Sequence, residues 1–132
     1  LQGLQELWGL PVEEASWATG GYSGAISSGR TTCGLLIGSG AAIGLRCGRE
    51  ATGRPEDEED RRTAAVKGVG RLYRAFLQEF GDTDCRTLTD CDFSSADEVG
   101  QYMANKTWEK KCDVFLRFVF DACRRMAEDG KI

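Results

Sequence analysis

The stretch Thr32-Cys33-Gly34-Leu35-Leu36-Ile37-Gly38-Ser39-Gly40-Ala41-Ala42-Ile43-Gly44-Leu45 opens on a residue that can cap a helix and closes just beyond, at Cys47-Gly48. Each of its four interior glycines costs a helix about 1 kcal/mol relative to alanine, so its own propensity does not hold it. Surrounding structure must. Gly34 with Gly38, and Gly40 with Gly44, lie four apart, so each pair shares a helix face where a neighbouring element can come close. The spacing predicts a buried central helix in an all-α, single-domain helical bundle.

Upstream, Leu1, Leu4, Leu7 and Trp8 recur at helical spacing and stop at Gly9 and Pro11. Residues 11–18 read as a short second helix, with proline at its start and Glu13 and Glu14 in its first turn. Thr19 to Thr31 reads as a glycine and serine loop, long enough to suspect a role. Downstream, Arg49 to Asp60 is a polar connection whose acid cluster, Glu56 to Asp60, fits the negatively charged first turn of a long helix. That helix carries Ala65, Val69, Leu72, Tyr73, Phe76, Leu77 and Phe80 on one side and stops at Gly81. Cys85 and Cys91 then fall in a loop, Ser95 and Glu98 resemble a capping box, and a last helix runs from about Thr107 to Asp129. Its inward face is Cys112, Phe115, Val119, Ala122, Cys123 and Met126. No segment alternates with period two.

Composition narrows the chemistry. The chain has 132 residues, 41% of them hydrophobic, enough for one core, and residues 1–132 are read as one helical domain. Its first residues read as the middle of a helix, so an N-terminal segment is expected to precede them. Seventeen basic against 21 acidic residues give a net charge of -4, which argues against nucleic acid and anionic membrane surfaces as partners. The longest apolar run, Leu35 to Leu45, is about half of the roughly 20 residues that a membrane span requires. With no histidine, no Ser-His-Asp or Cys-His pair and no mixed Cys/His zinc site can be written. The six cysteines are the main titratable groups left near neutral pH, and a chain with this apolar content needs no disulfides to fold, which points to cytoplasmic thiols.

Cys33 falls at a helix start, where free amides and the helix dipole stabilise a thiolate, and so reads as the low-pKa thiol. No Cys-x-x-Cys occurs, so zinc-ribbon and thioredoxin signatures are absent. The run from Leu36 to Gly44 is not a dinucleotide fingerprint, because its third glycine comes one residue late and no βαβ alternation surrounds it. Asn105-Lys106-Thr107 matches a glycosylation sequon but reads as a helix cap. Gly34 and Gly38, beside Cys33, are the backbone positions at which a cofactor or ligand would come close, with Arg30, Thr31 and Thr32 as polar groups nearby.

Gly20-Gly21, Thr32-Cys33-Gly34-Leu35-Leu36-Ile37-Gly38 and Gly44-Leu45, then Phe80-Gly81, Cys85-Arg86-Thr87-Leu88-Thr89, Asp92-Phe93-Ser94 and Lys111-Cys112, together resemble the bacterial C_GCAxxG_C_C family of redox-active four-cysteine proteins. The resemblance covers nearly the whole chain. It implies a helical fold, a redox or metal-linked role and genes near transporters, so that a redox partner or a transporter-linked protein is the expected partner. Cys33, Cys85 and Cys112 match three of the four signature cysteines. The fourth lies upstream in the family: either it belongs to the segment expected to precede Leu1, or Cys91 is a local substitute for it. Leu35 stands where the family motif has alanine.

Two chemistries are open to Cys33, Cys85 and Cys112: catalytic thiol–disulfide exchange, or ligation of an iron-sulfur cluster or another thiolate-bound metal. The competing class is a non-enzymatic helical interaction or ligand-binding module, for example a homodimer, in which the cysteines are structural.

Overall fold

The computed structural model describes residues 1–49 and 51–132. Glu50, in the polar connection, and the side chains of Glu14 and Ser16, in the second helix, lie outside what is described. Among the described residues the chain is helical, without a strand. Its helices are α1 (Gln2–Trp8), α2 (Glu13–Gly20), α3 (Tyr22–Ile26), α4 (Gly34–Gly48), α5 (Pro55–Phe80), α6 (Cys85–Thr89), α7 (Ala96–Ala104), α8 (Thr107–Lys110) and α9 (Cys112–Glu128).

The glycine-rich segment is the centre of this arrangement. α4 packs on α5, α9, α1 and α3, and its Leu36, Ala42 and Ile43 are fully buried. They meet Leu4 of α1, Leu72 and Phe76 of α5, and Phe115, Val119, Cys123 and Met126 of α9. Burying each large side chain contributes about 1.5–3 kcal/mol, which offsets the poor propensity of the four glycines. The glycines differ in use. A Cβ on Gly38 would stand 2.8 Å from the Leu1 backbone nitrogen and one on Gly34 3.4 Å from Ile26, whereas Gly44 has open space around it.

The long helix begins as expected, with Pro55 first and Glu56, Asp57 and Glu58 in its first turn. It stops at Gly81, whose φ of 80° is left-handed and whose amide donates to the Leu77 carbonyl (2.9 Å). At this end Phe76 and Phe80 meet Phe115 and Phe118 of α9 with centroids 4.7–6.0 Å apart, mostly edge to face. Such pairs contribute about 0.5–1.5 kcal/mol each beyond their buried area. They tie the end of α5 to the beginning of α9.

Several boundaries differ from the sequence reading. The second helix starts at Glu13 rather than Pro11, and the glycine loop is largely helical, as the end of α2 and all of α3. Tyr22 stabilises this: its hydroxyl bonds the Thr31 hydroxyl (2.6 Å) and donates to the Thr32 carbonyl (2.7 Å), a side-chain contact across nine and ten residues. Cys85, expected in a loop, is the first residue of α6. The last helix is interrupted: α8 makes one turn after the left-handed Lys106 (φ 48°), and Lys111, a turn residue with φ -116°, separates it from α9, which begins at Cys112.

Candidate functional site

The segments leading to Cys33 and Cys85 run antiparallel and touch at a single bridge, Thr32 opposite Asp84. The Cys33 amide donates to the Thr83 carbonyl (2.7 Å) and the Cys85 amide to the Thr31 carbonyl (2.8 Å). In such a pattern residue 33 stands opposite 83, so Cys33 and Cys85 are diagonal neighbours on one face. Residues so placed have Cα atoms about 7–8 Å apart, just beyond the roughly 7 Å that a disulfide spans without movement of the backbone. Aspartates shape the second segment. The Asp82 carboxylate accepts from the Thr83 and Asp84 amides (2.6 and 2.8 Å), and Asp84 caps α6 by accepting from the Thr87 amide (2.9 Å).

Cys112 joins from the break before α9. Its Sγ lies 3.1 Å from the Tyr102 hydroxyl, and the Tyr102 ring packs edge-on against Phe93 (centroids 5.1 Å). The three thiols feel one another. Charge on Cys112 raises the pKa of Cys33, and charge on Cys33 and on Cys112 raises that of Cys85. Each of the three also stands at a helix start: Cys33 is the residue preceding α4, and Cys85 and Cys112 are the first residues of α6 and α9.

Cys33 is not a low-pKa thiol. Burial pushes it above its ordinary value, and the helix-start effect, through the Leu35 and Leu36 amides, lowers it by less. The sequence identifies the helix terminus but not the depth at which its first residue sits. Cys85 is pushed up to about 12, by burial first and then by the charges of Cys33 and Cys112. Cys112 and Cys85 are partly exposed, whereas Cys33 and Cys91 are buried. Cys91 follows α6 near Cys85, and burial together with the charges of Glu98, Asp92 and Asp90 raises it. Cys47 and Cys123 lie in the helical core, both raised by burial, Cys123 to about 12.

Tyr102 was missed by sequence reasoning; in a short helix after a capping residue it carries no local signal. Its own ionisation is pushed up, by burial and then by the bond to Cys112, so it keeps its proton where thiols titrate. The capping box is half made: Ser95 accepts from the Glu98 amide (3.3 Å), but the Glu98 carboxylate takes the Asp92 amide (2.7 Å).

The arrangement bears on the other expected roles. Among the described residues no group of three or more Cys, Asp or Glu side chains is gathered closely enough to hold a metal ion. Cys33, Cys85 and Cys112 as arranged are thus neighbours without being a preformed ligand set. Gly34 faces Tyr22 and Ile26 and Gly38 faces Leu1, so protein groups occupy the space that a cofactor would need beside them. Hydrogen bonds from the Asp84 and Thr83 amides lower the Asp82 carboxyl and those from Ser94 lower Asp92, and the positive charge of Arg30 adds a smaller push in the same direction on both. Among the described residues no helix is long and apolar enough to cross a membrane.

Among curated proteins and among solved structures, none matches the chain significantly. A family model does: the one described as "Putative redox-active protein (C_GCAxxG_C_C)" matches residues 1–128. With an all-α fold and the match spanning nearly every residue, the chain belongs to the C_GCAxxG_C_C family of redox-active proteins.

Proposed function

We propose that this protein exchanges electrons as a dithiol–disulfide couple, with Cys85 as the thiol common to the pairs Cys33–Cys85 and Cys85–Cys112. The observation that supports this is the Thr32–Asp84 bridge, which sets Cys33 and Cys85 on one face while Cys85 also feels Cys112. In the exchange, a thiolate of the protein attacks one sulfur of a partner disulfide, and the other partner sulfur leaves as a thiolate. A second cysteine thiolate then attacks the protein sulfur of the mixed disulfide, releasing the second partner thiolate and leaving a protein disulfide. The protein dithiol loses two electrons and the partner disulfide gains them.

The pKa values give the exchange an order. Burial first, and then any charge on Cys33 or Cys112, holds Cys85 in the thiol form. Once Cys112 is bound in a mixed disulfide its charge is gone, so Cys85 ionises more readily and completes the exchange. Equilibrating the reduced chain with dithiothreitol buffers tests this. Two thiols lost together in one two-electron transition, and abolished by Cys85→Ser, is the expected result; a thiol count that stays constant across the buffers contradicts it.

A further inference from the structure

A cavity of about 280 Å³ is bordered by Asp90, Cys91, Glu98, Tyr102 and Lys111 among others, with Cys91 as the thiol in its lining. Two of its lining residues adjoin Cys112, which does not itself line it: Tyr102, whose hydroxyl touches the Cys112 sulfur, and Lys111, the chain neighbour of Cys112. The volume is at the small end of the range for ligand pockets. Its charges are of both signs: two carboxylates, Asp90 and Glu98, and one ammonium, Lys111.

We propose that this cavity receives a small zwitterionic disulfide of the amino-acid type, its ammonium group set toward Asp90 and Glu98, its carboxylate toward Lys111 and one sulfur delivered to Cys112. The proposal rests on the dithiol–disulfide reading above and names the substrate class of that site. Cys112 is the attacking thiol because it is partly exposed and its sulfur touches Tyr102 of the cavity lining, whereas Cys91, though it borders the cavity, is only 3% exposed. Tyr102 is a positioning residue: holding its proton, it donates a hydrogen bond to the Cys112 sulfur and fixes the direction of attack. The Cys112 thiolate forms a bond to one substrate sulfur as the substrate S–S bond breaks and the other half leaves as a thiolate. Cys85 then forms the protein disulfide and expels the first half.

The test uses the reduced full chain and four disulfides: cystine (zwitterionic), cystamine (ammonium only), dithiodiglycolate (carboxylate only) and 2-hydroxyethyl disulfide (uncharged). The rate of adduct formation at each cysteine is read by mass spectrometry and divided by the rate of the same disulfide with a free small thiol. Cystine is expected to modify Cys112 about tenfold faster than the uncharged probe, the advantage that one well-placed charge-assisted bond confers. Lys111→Gln should remove the preference for cystine over cystamine, whereas Tyr102→Phe should slow all four probes and leave their rank unchanged. Equal normalised rates for the four, a preference for cystamine, or adducts on Cys91 ahead of Cys112 overturn the pocket while leaving the dithiol couple standing. If no probe leaves an adduct or a protein disulfide on Cys33, Cys85 or Cys112, the couple itself is refuted.

Discussion

Five of the six cysteines divide between two regions that treat a thiol in opposite ways. Cys47 and Cys123 sit within α4 and α9, where their sulfurs fill core space beside Ile43, Leu72 and Val119. Cys33, Cys85 and Cys112 sit where helices begin, in segments bent by a β-bridge, an aspartate turn and a broken helix. Both regions raise thiol pKa values through burial, so a raised value does not separate them. What separates them is company. Cys123 is raised by burial and Cys47 has Arg46 and Arg61 beside it, whereas the helix-start thiols have each other. Mutual proximity, rather than activation of a single thiol, distinguishes the helix-start thiols.

The contrast should be widest in chemical labelling. A thiol whose pKa is about 12 is ionised to roughly one part in 10⁴ at about pH 8, so Cys123 in the folded chain is nearly silent. Alkylation followed by peptide mapping is expected to mark Cys112 at least roughly 100-fold faster than Cys123, since Cys112 also has access to solvent. Equal labelling of the two in the folded state breaks the comparison.

Replacement by serine should separate the two regions in stability. Cys123→Ser puts a hydroxyl at a fully buried apolar site and is expected to cost about 1–3 kcal/mol in denaturant unfolding. Cys112→Ser keeps a partner for Tyr102 at a partly exposed site and should stay within about 0.5 kcal/mol. A large loss at 112 and none at 123 would reverse the assignment. The glycines of α4 sharpen the same point on a smaller scale. Gly44→Ala, with open space, should gain up to about 1 kcal/mol in melting experiments, while Gly38→Ala drives a methyl into the Leu1 backbone and should lose about 1–3 kcal/mol.

The smallest effect is in acid. The Asp84 and Thr83 amides hold the Asp82 carboxyl below its ordinary 3.8. A carboxyl depressed on folding contributes its stabilisation above the ordinary value and loses it as pH falls through the lower folded value. Exchange of the Thr83 and Asp84 amides should therefore quicken, relative to the core of α5, as pH is lowered below about 3.8 and the Asp82 carboxylate takes up its proton. Protection that is unchanged down to full protonation contradicts this role for Asp82.

Much of the fold was legible because it rests on periodicity and punctuation. The stops at Gly9 and Gly81, the acidic start at Glu56 and the buried face of α9 follow from local chemistry that a sequence displays. The helical character of residues 22–26 was not, because it depends on a hydroxyl of Tyr22 reaching Thr31 and Thr32. Nor was the break at Lys111, a residue with no helix-breaking chemistry, yet that break sets Cys112 at a helix start. Cys33 was legible as a helix-terminal residue, but burial is a tertiary quantity, and it overrode the terminus. The proximity of Cys85 to Cys33 came from resemblance alone; its physical basis is a bridge between segments more than fifty residues apart, which leaves no local trace.

The most direct test of the central role of Cys85 is to oxidise the fully reduced chain with one equivalent of diamide and locate the disulfide by non-reducing proteolysis and mass spectrometry. One disulfide containing Cys85, joined to Cys33 or Cys112, with Cys47 and Cys123 still reduced, is the expected result. A disulfide formed without Cys85, or none formed while the chain stays folded, would contradict it.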